Sequence, residues 1–149
     1  PSLRESFFTA YEARCRKPTL FPGVTELLAA IDRKGLVWGI VTNKPQEFAE
    51  AIAASTPAMA RCAIVVGSRP GVPLKPAPDG ILRALKELAL KPEQTLYTGD
   101  DRRDIEAGKA AGTSTLLALW GYRPKDADTS LWAPDFTASS PEDIIRLLP

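Results

Sequence analysis

The sequence predicts an α/β domain, a three-layer α/β/α arrangement in which helices cover both faces of a parallel sheet. Three observations carry that reading. Short β-rich apolar runs recur along the chain, "LVWGIVT", "TLYTG" and "TSTLLALW" among them. Between them lie amphipathic segments of about a dozen residues with helical spacing. Proline and glycine punctuate the joints. Strands that alternate with helices of this length favour right-handed parallel crossovers. The 149 residues suffice for one domain with a real core.

Taken in order, residues 2–16 form the first predicted helix, with Leu3, Phe7, Phe8 and Tyr11 on one face. "KPTLFPG" ends it. "VTELLAAIDRK" is the next helix, and Gly35 follows as its C-terminal cap. "LVWGIVT" is a strand expected to be buried on both faces. "KPQEFAEAIAAS" is a helix with Pro45 near its first turn. "CAIVVG" is a second strand, and "SRPGVPLKPAPDG" a stiff loop with four prolines. "DGILRALKELAL" is a helix begun by Pro78, "TLYTG" a third strand, and "RRDIEAGKAAG" a helix stopped by Gly112. "TSTLLALW" is the fourth strand, "GYRPKDADTSLWAP" a loop, "PDFTAS" a short fifth strand and "PEDIIRLL" the closing helix.

Composition narrows the function. Nineteen basic and 18 acidic residues give a net charge of +1, which offers no footprint for nucleic acid. No apolar run reaches the roughly 20 residues that span a bilayer, so no membrane partner is expected. Cys15 and Cys62 lack metal-type spacing and read as reduced, inert thiols of a cytoplasmic protein. The chain has no histidine. Ser-His-Asp and Cys-His chemistry are therefore excluded, and a catalytic zinc site is disfavoured. Magnesium, which takes oxygen ligands, stays open.

The polar residues of interest fall at one edge. Ligands of open parallel sheets bind beyond the carboxyl ends of the strands. Thr42 and Asn43 end the first strand, Lys75 lies in the loop after the second, and Asp100 ends the third with Asp101 and Asp104 just beyond. A hydroxyl, an ammonium and a carboxylate cluster at one mouth suit a phosphate held by Thr42 and Lys75 beside magnesium held by aspartates. Each residue also has a plainer reading. Thr42 could bond a nearby amide, Lys75 could be a solvated loop residue, and Asp101 with Asp104 could cap a helix. Asp101 is expected to be the cap. Arg102 and Arg103 are expected to pair with the aspartates at the surface.

"IVTNKP", "LKPAPDGI" and "YTGDDRRDIEAGKAAG" resemble, in order and spacing, three of the four motifs of the haloacid-dehalogenase-like hydrolases. The nearest group is the phosphoglycolate-phosphatase-like subfamily, and the resemblance runs from about residue 20 to the C-terminus. It implies a Rossmann-like core and hydrolysis of a small phosphorylated metabolite, with magnesium and an aspartyl-phosphate intermediate. By resemblance Thr42 and Asn43 bind the phosphoryl group, and Lys75 neutralises phosphate and nucleophile. Asp100 ligates magnesium, and Asp104 supports the metal shell. Asp101 stands where the family usually has serine or threonine.

The family's first motif, an apolar strand ending in D-x-D-G-T that carries the nucleophile, is not found. "KDADTS" around Asp126 has part of the spelling but follows a loop-like stretch. The resemblance implies that residues 1–20 are the remnant of a cap domain and residues 21–149 a partial core. It also implies that a central strand is missing between those ending in Thr42 and Asp100. The expectation is a truncated, largely inactive portion of a phosphatase. Alternatives are a natural short form, with a homodimer completing the sheet, or a non-catalytic phosphate- or partner-binding module.

Overall fold

A computed structural model describes residues 20–121 and 128–149. The expected helix over 2–16, Cys15, the cap remnant and Asp126 lie outside the described residues. Among the described residues are five α-helices and five strands, alternating except that β5 follows β4 without an α-helix between: α1 (Val24–Arg33), β1 (Ile40–Pro45), α2 (Gln46–Ser55), β2 (Val65–Ser68), α3 (Asp79–Glu87), β3 (Leu96–Gly99), α4 (Arg102–Ala111), β4 (Ser114–Ala118), β5 (Phe136–Ala138) and α5 (Pro141–Leu147).

All pairings are parallel, in two separate sheets, β1-β2 and β3-β4-β5. The break falls between β1 and β3, where the resemblance places a central strand. Two apolar clusters complete the three layers. Leu27 of α1 and Ile144 of α5 pack on Leu116 and Ala138 on one face. Ile81 and Leu85 of α3 meet Ala107 and Ala111 of α4 on the other, with Val41 and Tyr97 against them. Leu96 joins the first cluster and Tyr97 the second, as strand alternation requires. The caps also follow the sequence. Gly35 and Gly112 take positive φ after α1 and α4, and the amides that follow return to carbonyls in the last turn.

Two strand expectations need correction. β1 begins at Ile40 rather than Leu36 and runs into Thr42, Asn43 and Lys44. Its residues are half-buried or exposed rather than buried on both faces, and Val37 before it is 55% exposed. The physical reason is that β1 pairs on one side only. Just ahead of β2, the Ile40 amide donates to Ile64 O at 2.9 Å, so Ile40 faces that neighbour. Strand residues alternate in the side to which their amide and carbonyl point, so Val41 turns its carbonyl away from β2.

Candidate functional site

The carboxyl ends of β1 and β3 place the site. Lys75, on the proline-rich loop, reaches Val41 O at 3.3 Å, Tyr97 Oη at 3.1 Å and Asp104 Oδ1 at 2.5 Å through its Nζ. Tyr97 Oη also donates to Val41 O at 3.2 Å. The open-edge carbonyl of β1 is thus satisfied by side chains instead of by a neighbouring strand. Burial works against the charge on Lys75, but Tyr97 and Asp104 outweigh it, so the lysine pKa stands above its ordinary value. Burial likewise raises the Tyr97 phenol, with Lys75 acting in the opposite direction. Lys75 is therefore a fixed cation, with its side chain only 14% exposed.

Asn43 holds the loop that carries it. Its Oδ1 accepts the Lys75 amide at 3.0 Å, and its Nδ2 donates to Lys75 O at 3.2 Å. Thr42 Oγ1 accepts the Lys44 amide at 3.2 Å, which leaves the hydroxyl proton to donate elsewhere. Thr42, Asn43 and Lys75 line one cleft with Ser68 and Arg69, while Asp100 and Asp104 lie outside that lining.

The aspartates divide their roles. Asp101 caps α4: its Oδ1 accepts the Arg103 amide at 2.9 Å, as expected. Bonding by the Arg103 side chain holds the Asp101 carboxyl below its usual range. Arg103 pairs with Asp101, but Arg102 pairs with Glu106 at 2.7 Å rather than with an aspartate. One helical turn separates Arg102 from Glu106, and that i,i+4 geometry wins. Asp104 is a hub: besides Lys75, its Oδ2 accepts the amides of Asp100 at 3.2 Å and Asp101 at 3.1 Å.

Asp100 points elsewhere. Its carboxylate lies against Gly121, in a cradle that a Cβ at that glycine would fill. Magnesium takes oxygen donors and needs one or two carboxylates beside water and phosphate. Asp100 fits that requirement. Both oxygens of Asp104 already accept hydrogen bonds, which suits a supporting place better than a ligand's. Among the described residues no three carboxylates, histidines or cysteines converge.

The structure thus brings Lys75, Asp104 and the Asp100 backbone together and sets Thr42 in the same cleft as Lys75. Sequence reasoning missed Tyr97 and the clamp made by the Asn43 side chain. Tyr97 carried a signal, since alternation puts it on the α3–α4 face three residues before Asp100.

A profile of the haloacid dehalogenase-like hydrolases matches residues 2–118. The chain belongs to that family. It is 37% identical to the N-acetylmuramic acid 6-phosphate phosphatase of Pseudomonas aeruginosa, over 98% of this chain and 65% of that protein. It is 38% identical to the phosphoglycolate phosphatase of Xanthomonas campestris pv. campestris, over 96% of this chain and again 65% of the relative. The chain therefore spans just under two thirds of the length of these relatives. A haloacid dehalogenase-like family hydrolase from Streptococcus pneumoniae superposes with a TM-score of 0.81 at 26% identity, covering 99% of this chain and 76% of that one. The family expected from the three motifs and the α/β fold expected from the alternation of strands and helices are both borne out. In the described residues no helix is long and apolar enough to cross a membrane.

Proposed function

We propose that this chain forms the phosphate-binding and metal-holding side of a magnesium-dependent phosphomonoester hydrolase. The observation that carries the reading is Lys75, held by Val41 O, Tyr97 and Asp104 and lining one cleft with Thr42. The relatives act on phosphoglycolate and on N-acetylmuramic acid 6-phosphate, by their names. Both are phosphomonoesters of small carboxylate-bearing molecules, so that is the substrate class proposed here.

Each side chain has a task in this reading. Lys75, whose three protons go to Val41 O, Tyr97 and Asp104, supplies fixed positive charge beside the phosphate through space, and the Asn43 clamp keeps its loop in place. Thr42 donates its hydroxyl proton to the same group. Asp104 orients Lys75 and the turn that carries Asp100, and Asp100 holds magnesium. When bound, magnesium neutralises phosphate charge. No apolar strand ending in D-x-D-G-T occurs in these 149 residues. The isolated chain is accordingly expected to bind phosphate and to hydrolyse phosphomonoesters little or not at all. A cytoplasmic setting belongs to the same reading.

The test is calorimetric titration with inorganic phosphate, with and without magnesium, alongside hydrolysis of phosphoglycolate, N-acetylmuramic acid 6-phosphate and an aryl phosphate. Phosphate binding that Lys75→Ala weakens at least tenfold, in a variant of unchanged circular dichroism, is the expected result. Absence of phosphate binding overturns the reading. Turnover near the typical enzyme value of about 10 per second, lost on Asp126→Ala, would show that the nucleophile lies within this chain.

A further inference from the structure

We propose that Gly121 is a positioning residue for Asp100, present because the carboxylate needs the space that any side chain there would occupy. A Cβ at Gly121 would fall 2.7 Å from Asp100 Cγ and closer still to its Cβ and Oδ2. Backbone conformation is not the reason for glycine here. Gly121 is absent from the glycines of positive φ, so alanine would suit its backbone, and only room is lacking.

The turn that carries Gly121 cannot readily give way. The Gly121 amide donates to Ala118 O at 3.3 Å, and the Leu119 amide to Ala138 O at 2.9 Å, which ties the turn to β5. Trp120 packs against the cluster of Leu116 and Ile144. The other partner is also fixed, because the Asp100 amide is held by Asp104 Oδ2. Turning the Asp100 side chain cannot relieve the contact, because the nearest atom is its Cβ, so a methyl at 121 must displace one of these held backbones and carry the Asp100 carboxylate with it. Gly99 repeats the arrangement one residue before Asp100, where an added Cβ would overlap Asp104 Cβ, Cγ and Oδ2. Each of the two carboxylates thus lies on its own glycine, and the glycine behind Asp100 sets the direction in which a divalent cation would be met.

This inference rests on the metal-holding role given to Asp100 above. The experiment titrates Mn²⁺ into the 149-residue chain and reads paramagnetic broadening of the Gly99 and Asp100 amide signals. It compares wild type, Asp100→Asn and Gly121→Ala. Expected is weakening in both variants, at least tenfold for Gly121→Ala, with phosphate affinity in metal-free buffer unchanged within twofold. Broadening lost in Asp100→Asn but kept within twofold in Gly121→Ala overturns the inference alone. Wild type without broadening at millimolar Mn²⁺ overturns the metal-holding role and the inference with it. A melting-temperature cycle covers the case of a weakened fold. Gly121→Ala should lower the melting temperature in wild type and have little effect in Asp100→Gly, where the colliding atoms are gone. An equal shift in both backgrounds would mean that contact with Asp100 is not what Gly121 avoids.

Discussion

β4 and β1 lie against the same fold yet live in different surroundings. β4 is hydrogen-bonded to β3 on one side and β5 on the other, and Thr115, Leu116 and Leu117 are at most 1% exposed. Even its buried hydroxyl is satisfied, since Thr115 Oγ1 and the Thr115 amide both donate to Asp135 Oδ2. β1 has only β2 beside it, and its residues are half-buried or exposed. The difference shows where polar side chains become necessary. A strand with two neighbours satisfies most of its backbone through theirs, the Thr115 amide being the exception, and leaves most of its side chains to pack. A strand with one neighbour draws in hydroxyl and ammonium groups, and here these are Tyr97 and Lys75. The residue most suited to holding phosphate is anchored on a β1 carbonyl that no neighbouring strand satisfies.

The sharpest challenge to that contrast is Asp104→Ala. It removes the carboxylate opposite Lys75 and the acceptor of two turn amides, leaving a cation with its side chain 14% exposed and without its anion. Urea unfolding should show a loss of about 3–5 kcal/mol. A loss below about 1 kcal/mol, the level of an exposed pair, would mean that the hub is solvated.

Next comes the packing difference itself. Leu116→Ala opens a cavity at a residue of 0% exposure and should cost about 2–4 kcal/mol. Ile40→Ala, on the half-buried β1, should cost about half as much. Equal losses would show that both strands are buried alike in solution.

Tyr97→Phe is the smallest change, since it removes one hydroxyl and its bonds to Lys75 and Val41 O. It should cost about 1 kcal/mol. It also sharpens a pH effect. Lys75 and Tyr97 both have raised pKa values when folded, so the native state holds their protons more tightly than the unfolded chain does. Their contribution is complete below about pH 10 and declines as pH rises through the raised values. Chemical denaturation from pH 8 to 11 should show that decline, reduced in Tyr97→Phe. A flat profile in wild type would show that neither proton is held in this way.

Much of the molecule is determined by local patterning. The alternation of "TLYTG" and "TSTLLALW" with helical segments was enough for an α/β fold, because strand and helix periods leave different spacings of apolar residues. Gly35, Gly112 and Asp101 announced helix ends by chemistry that acts within a few residues. The three motifs placed Thr42, Lys75, Asp100 and Asp104 at one sheet edge, and three of those four residues converge through hydrogen bonds. What remained to the tertiary structure depends on groups distant in the chain. The start of β1 depends on pairing with β2. The anchoring of Lys75 depends on Val41 and Tyr97, which lie 34 and 22 residues away. The separation of Asp100 from Asp104 depends on a turn after β4 that brings Gly121 beneath one carboxylate and not the other. No local propensity encodes such contacts, since each arises only when the chain has closed and its backbone groups must find partners.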